Sequence, residues 1–270
     1  MKRFLARLQS WGARIRPAWV WLLEVTLAVG FALWISLDAG LEIVVLRFRG
    51  LVMGPSTTVR ADAWRGLVGD GRAIGLGVML ALAAVGMLWL VVRLWRGAPQ
   101  DRGLRSLMIL VGLIGIWTAL VTSWPDLAWW GRRRQADRLV AAFEEVARPL
   151  RASWPQTDGD LPQTGPFMAY PIGQPTMFML LTPGARRPTA PGLPVPRFSA
   201  VERSPLGALR FQLLEPAPAN WLEWHPEGSS PETFVGGLAN RYVLVRSEPL
   251  GGGWYLVRYL EESPDSAWGG

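Results

Sequence analysis

Cysteine is absent from this 270-residue chain, and histidine and lysine each occur once. Without cysteine there is no disulfide, thiol nucleophile, iron–sulfur ligand or thiolate zinc site. Because Lys2 is the single lysine, a P-loop lysine, a protein-kinase lysine and an internal Schiff base are excluded as well. His225 is the single imidazole, so a His-rich metal site is impossible, and we expect neither a metal nor a cofactor.

The net positive charge of the chain lies in its first half. Residues 1–134 hold 17 Lys+Arg and 7 Asp+Glu, whereas residues 135–270 hold 11 and 14. A nucleic-acid-binding domain concentrates basic side chains on its own surface, because contacts to phosphates supply much of its affinity. The second half is mildly acidic, so nucleic acid is not an expected partner.

Three apolar runs dominate the first half, at residues 18–37, 73–92 and 106–124. The first contains one charged residue and the other two contain none. A helix needs about 20 residues to cross the hydrocarbon core of a bilayer. The sequence therefore predicts three transmembrane helices in residues 18–124, with Pro125 and Asp126 closing the third and tryptophans anchoring the span ends in the lipid headgroups.

The N-terminal residues 1–17 are basic and carry apolar side chains at helical spacing, which is typical of an amphipathic helix lying on a membrane. The apolar run that follows is longer than the core of a secretory signal peptide, and no Ala-x-Ala cleavage pattern comes after it. We interpret the first span as a retained signal anchor.

Orientation is not decided by total charge, because nine Lys+Arg lie near the span ends on each side of the membrane. The first helix usually dominates, and five basic residues precede it. We therefore expect a bacterial cell membrane protein with a cytoplasmic N-terminus and an extracytoplasmic soluble domain, although the basic run Arg132–Arg134 favours the opposite orientation.

Glu24 is the only ionisable side chain inside a predicted span. A carboxylate at that depth indicates a functional site by default. The alternative is a helix shifted along its axis, with Glu24 at headgroup level and paired with an arginine.

The second half predicts a soluble α+β domain over residues 125–262, followed by a flexible tail at 263–270. Leu139, Phe143, Val146 and Leu150 mark the apolar stripe of a helix from Arg132 to about Arg148, which Pro149 and Pro155 are expected to end.

Short β-rich segments follow in series with turns between them, which favours an antiparallel sheet. These segments are 167–172, 176–182, 197–201, 208–214, 221–225, 241–246 and 254–260. The last two flank Pro249–Gly253 and predict a hairpin, and the proline-rich stretch 183–196 predicts a loop.

Glu223 and His225 are the weak catalytic candidates. Strand alternation places both on one face, where a carboxylate can tune an imidazole base. The nearest hydroxyls, Ser229 and Ser230, lie in a turn, and no serine occupies a Gly-x-Ser-x-Gly elbow. The alternative is a histidine satisfied by structural hydrogen bonds.

Two further patterns favour turns over ligand sites. Asp158 and Asp160 resemble part of a calcium loop but lack the other oxygen ligands and the closing glutamate. Gly236-Gly237 follows no strand-to-helix phosphate pattern.

Three functions remain open on these grounds. The first is a non-enzymatic membrane protein whose helices anchor a soluble domain that either binds a membrane or envelope protein or supports an envelope assembly. The second is a subunit of a transporter or channel that uses Glu24 within the bilayer. The third is a hydrolase-like enzyme that uses Glu223 and His225.

Overall fold

The computed structural model describes residues 17–53, 56–96, 103–161, 165–182, 194–214 and 220–262. The predicted amphipathic segment, apart from Pro17, lies outside these residues, as do most of the proline-rich loop and the C-terminal tail. The chain divides into two compact units, residues 1–131 and residues 132–270. The predicted domain boundary after residue 124 falls inside a helix.

Five helices make up the described α-helical part: α1 Pro17–Leu37, α2 Ala39–Met53, α3 Thr57–Leu67, α4 Gly71–Arg96 and α5 Leu104–Ala152. Three of them, α1, α4 and α5, are long and apolar enough to cross a membrane. The three predicted spans are confirmed, and the protein is an integral, multi-pass membrane protein by this criterion. Each span forms a helix because only internal hydrogen bonds can satisfy backbone amides in hydrocarbon.

Apolar side chains cover the outside of the first unit. A water-exposed surface of this kind is rare in soluble monomers, whereas hydrocarbon accepts it. The exposed residues on α1, α4 and α5 include Leu22, Leu33, Val78, Val85, Met108 and Val121.

Asp38 separates α1 from α2. Its Oδ1 accepts a hydrogen bond from the Gly40 amide at 2.9 Å, and its Oδ2 accepts from Arg72 Nε at 2.7 Å. Trp34 Nε1 donates to the same Oδ2 at 3.2 Å. Partial burial acts to raise the pKa of Asp38, but these donors outweigh it and hold the pKa below its ordinary value.

Helices α2 and α3 form a hairpin that sequence reasoning left unassigned. Ser56 caps α3 by accepting the Val59 amide at 3.3 Å. Arg47 on α2 donates to the Gly66 carbonyl at 2.6 Å, near the end of α3, where the helix dipole favours a cation.

Helix α5 corrects two expectations about proline. Pro125 does not close the third span, since α5 continues through it, and Pro149 lies within the last turn before the helix ends at Ala152. A proline removes one N–H and disturbs one turn, and neighbouring packing can keep the helix continuous. The Ser153 amide donates to the Pro149 carbonyl at 2.9 Å and completes the terminal turn.

The second unit is an α+β fold, as predicted. Its nine strands form one antiparallel sheet in the order β1-β2-β3-β4-β5-β6-β9-β8-β7. The seven predicted β segments correspond to β2 to β6, β8 and β9. The strands are β1 Gly159–Leu161, β2 Gly165–Tyr170, β3 Met177–Leu180, β4 Phe198–Arg203, β5 Leu209–Leu213, β6 Asn220–Trp224, β7 Phe234–Val235, β8 Arg241–Gly251 and β9 Trp254–Glu262.

The predicted helix stripe packs on one face of this sheet. Phe143 is fully buried, with its ring centroid 5.2 Å from that of Phe211 and 5.6 Å from that of Phe198. Trp254 lies in the same layer, and its Nε1 donates a hydrogen bond to Glu144 Oε2 at 3.1 Å.

A second core lies on the opposite face of the sheet. Trp221 is its centre, with ring centroids 5.1 Å from Tyr242, 5.8 Å from Phe234 and 6.0 Å from Tyr259. Both faces of β6 are therefore covered, which explains why its polar residues are buried.

Candidate functional site

A row of charged side chains crosses the second face of the sheet. The strand register places Glu202 on β4 opposite Arg210 on β5, and Arg210 opposite Glu223 on β6. Directly opposed residues share a face, so the three side chains are neighbours. All three are buried. Burial of this much charge requires compensation within the row.

Glu223 is the centre of the hydrogen bonds. Its Oε1 accepts from the Tyr259 hydroxyl at 2.8 Å, and its Oε2 lies 2.7 Å from His225 Nε2. A neutral imidazole has one N–H donor and one acceptor nitrogen, so the tautomer of His225 decides which of its two contacts it donates. The structure thus places the predicted carboxylate and imidazole in direct contact.

Ser229 approaches the other nitrogen of the same ring. Its Oγ lies 3.3 Å from His225 Nδ1 and also donates to the Pro226 carbonyl at 3.0 Å. The hydroxyl has a single hydrogen, so activation by His225 would require it to turn away from Pro226. Glu223, His225 and Ser229 contact one another in the order of the acid, base and nucleophile of a catalytic triad. Here the contact of Ser229 with Pro226 makes it part of a turn.

Arg210 lies between two carboxylates and an aromatic ring. It is 4% exposed, and its Nε has no hydrogen-bond partner among the residues that the structure describes. The nearest carboxylate oxygens are Glu223 Oε1, 3.6 Å from Nε, and Glu232 Oε1, 3.8 Å from Nη2. The guanidinium stacks on Phe234, with Cζ 3.9 Å from the ring centroid.

A polar cavity of about 210 Å³ opens beside this row. Its lining combines two buried side chains, Arg210 and His225, with the hydroxyls of Ser204, Ser229 and Ser230. Glu232 stands at the rim with a side chain that is 65% exposed.

Burial changes the acidity of three groups around the row. It raises the pKa of Glu202, whose Oε1 accepts only a long hydrogen bond, 3.4 Å, from the Gly237 amide. Burial also raises the pKa of Tyr242 to about 12. Tyr259 shows the same direction, because burial and the adjacent Glu223 carboxylate both disfavour the phenolate.

Glu24 occupies a separate position, inside the helices of the first unit. It is fully buried, and Trp117 Nε1 on α5 donates to its Oε2 at 2.9 Å. Its Oε1 lies against Gly86 on α4, where a Cβ would overlap it. Within the described part of the chain, the side chain that binds Glu24 is an indole, and any contact with the first 16 residues lies outside the description.

The remaining sequence candidates have structural roles. Asp158 Oδ1 accepts the Ala169 amide of β2 at 2.7 Å, which fastens the first hairpin. Gly236 and Gly237 form the turn after β7, and a Cβ on either would collide with Glu202 or Met177. Over the described ranges, no group of three His, Asp or Glu side chains could hold a metal ion.

Sequence reasoning missed Glu202, Arg210 and Tyr259 as members of the site. Arg210 and Tyr259 lie in segments that were correctly predicted as strand, whereas Glu202 lies in β4 one residue beyond the predicted segment 197–201. Alternation places all three opposite the α5 face. The available signal was a charged residue within an otherwise apolar strand. Only the order of the strands brings Glu202, Arg210 and Tyr259 together in space.

Comparisons of the chain with protein-family models, with curated proteins and with solved structures find no match. The class of protein is therefore defined by the fold, as a multi-pass membrane protein with an α+β domain.

Proposed function

We propose that the transmembrane helices anchor the α+β unit so that this unit binds a protein partner in the membrane or its envelope. This role requires no catalysis. Its support is an apolar patch on the last three strands of the sheet, made by Val235, Val243 and Leu260.

The strand register brings this patch together. Val243 pairs with Leu260, and Val235 pairs with Arg241, which is two residues from Val243 and on the same face. Val235 is 67% exposed and Leu260 is 58% exposed. The outermost strand, β7, has only two residues, so among the described residues most of the neighbouring β8 has no paired strand on that side. Exposed apolar surface beside an open strand edge is typical of a surface that binds another protein.

Site-specific photo-crosslinking in intact membranes tests this proposal. A photoreactive residue at Val235 or Leu260 is expected to give one discrete adduct of higher mass. The same residue at Asp160, exposed on the opposite edge strand β1, is the matched control. The proposal fails if the patch positions give no adduct, or the same weak set of adducts as Asp160.

A second candidate function is supported by Glu24. A buried carboxylate with an indole partner is costly in a bilayer and typical of an ion or proton pathway. If the chain is a transporter or channel subunit, Glu24→Gln abolishes ion flux while preserving the Trp117 contact. Unchanged flux in a folded Glu24→Gln protein would remove this candidate.

A further inference from the structure

An apolar groove follows the first turns of α5 in the membrane unit. It has a volume of about 570 Å³, and its lining consists of α5 residues from Leu104 to Ile116 together with Trp21 of α1. Among the described residues that line it, Arg105 is the only charged one, and its side chain is exposed. A groove of this volume is large enough for a ligand, since binding pockets measure about 300–1,000 Å³.

The length of the groove matches one leaflet of a bilayer. Leu104 and Ile116 are 12 residues apart on a continuous helix, which at about 1.5 Å per residue corresponds to about 18 Å. One leaflet contributes about 15 Å, which is half of the hydrocarbon core. Arg105 directly precedes the apolar run 106–124, so its guanidinium reaches the headgroups while the apolar lining extends towards the middle of the bilayer.

Charge at this end of the helices favours an anionic headgroup. The N-terminus and the α4–α5 link lie on the same side of the membrane in either orientation, because α1 and α4 each cross it once. Residues 1–16 and 93–105 together hold nine Lys+Arg and one Asp, whereas residues 38–72, on the opposite side, hold five Lys+Arg and four Asp+Glu. Basic residues beside a membrane span attract anionic lipids.

We propose that this groove binds one anionic phospholipid, with an acyl chain along α5 and the phosphate on Arg105. A guanidinium is suited to this headgroup, because its planar fork pairs with two phosphate oxygens at once. Gly112 leaves room for the chain, since a Cβ there would meet no described atom within 4 Å.

Native mass spectrometry of the full-length protein released from detergent micelles tests the site. The protein is titrated with phosphatidylglycerol and, separately, with phosphatidylcholine that carries the same acyl chains. We expect one phosphatidylglycerol adduct that saturates at a concentration about fivefold lower than the phosphatidylcholine adduct. A factor of this size is what one basic side chain near the membrane surface contributes to binding an anionic lipid.

A first pair of variants tests the apolar part of the groove. Gly112→Leu fills the groove and is expected to weaken phosphatidylglycerol binding by at least about fivefold, because the leucine takes the place of lipid atoms in contact with α5. Gly115→Leu is the matched control on the same helix. A Cβ at Gly115 also meets no described atom within 4 Å, but this residue does not line the groove, so binding should not change.

A second pair tests the headgroup contact. Arg105→Gln removes the charge at the end of the groove and is expected to make phosphatidylglycerol bind no more tightly than phosphatidylcholine. Arg96→Gln is the control, because Arg96 is exposed at the end of α4 on the same side of the membrane and does not line the groove. This variant should keep most of the preference for phosphatidylglycerol.

Three outcomes would overturn the proposal. Equal weakening by Gly112→Leu and Gly115→Leu, or an unchanged preference in Arg105→Gln, would mean that the lipid binds elsewhere on the helices. The lack of a saturable adduct in the unmodified protein would mean that residues 1–16 or a second copy of the chain fill the groove. Should Gly112→Leu fail to fold, the comparison of Arg105→Gln with Arg96→Gln decides alone.

Discussion

Glu202 shows at the scale of a residue how burial sets ionisation. Its carboxyl lies on β4 beside Arg210, yet desolvation exceeds this attraction and raises the pKa. The native state therefore holds a proton at pH values where the unfolded chain has released it. By linkage, stability falls as the pH rises from the ordinary glutamate value towards the native pKa, and is level above it.

Replacement of Glu202 by glutamine tests this sign. The amide keeps an oxygen for the Gly237 N–H and cannot ionise, so the pH dependence in that window should flatten. We expect the free energy of unfolding to rise by on the order of 1 kcal/mol at about pH 8 and to change little at about pH 4. Denaturant unfolding followed by tryptophan fluorescence measures both values. An unchanged pH slope in Glu202→Gln would show that Glu202 is ionised in the native protein.

Gly86 makes a residue-scale prediction in the membrane unit. A Cβ there would overlap Glu24 Oε1, so Gly86→Ala should displace the Glu24 carboxylate and disturb its hydrogen bond with Trp117. Overpacking of this kind costs about 1–3 kcal/mol. The expected result is a lower melting temperature in detergent.

Gly77→Ala is the matched control for Gly86→Ala on the same helix. A Cβ at Gly77 would meet no described atom within 4 Å, so the control should leave the melting temperature nearly unchanged. Equal effects of the two substitutions would mean that helix propensity, and not contact with Glu24, determines the result.

At the scale of an element, Phe143 is a central contact between α5 and the sheet. Phe143 touches Phe198, Phe211 and Trp254, which belong to β4, β5 and β9. Removing it opens a cavity that three strands line. The helix and sheet of the second unit therefore share one core.

Truncation of this side chain, Phe143→Ala, is expected to lower the free energy of unfolding of the second unit by about 3–5 kcal/mol. Asp137→Ala, on an exposed face of α5, is the control and should change it by less than about 0.5 kcal/mol. Denaturant titration of the full-length protein in micelles measures both. A small effect of Phe143→Ala would argue against the packed arrangement of helix and sheet.

The same elements show what the sequence predicts and what it does not. Apolar runs and strand alternation depend on local spacing, so the three spans, the stripe around Phe143 and the last hairpin were all predictable. Pro125 was misleading, because a proline disturbs one turn while packing on both sides keeps α5 continuous. The row from Glu202 to Glu223 was not predictable, because it requires strand order and register, which tertiary packing determines.

At the scale of the whole molecule, the distribution of charge along the chain predicts an orientation in the membrane. Five basic residues precede the first span, while residues 135–270 hold 11 Lys+Arg and 14 Asp+Glu. Transmembrane helices orient so that basic flanks stay in the cytoplasm. We therefore predict that three crossings place residues 38–70 and the α+β unit on the outer side, and the link between α4 and α5 on the cytoplasmic side.

Cysteine scanning tests this orientation without background, because the native chain has no thiol. Ser230→Cys lies in an exposed turn of the sheet unit, Thr58→Cys lies on α3 and Gly103→Cys precedes α5, and all three positions are exposed. In intact cells an impermeant maleimide is expected to label the first two, and to label Gly103→Cys only after the membrane is opened. The opposite pattern would mean that Arg132–Arg134, and not the N-terminal segment, determines the topology, and would place the proposed partner in the cytoplasm.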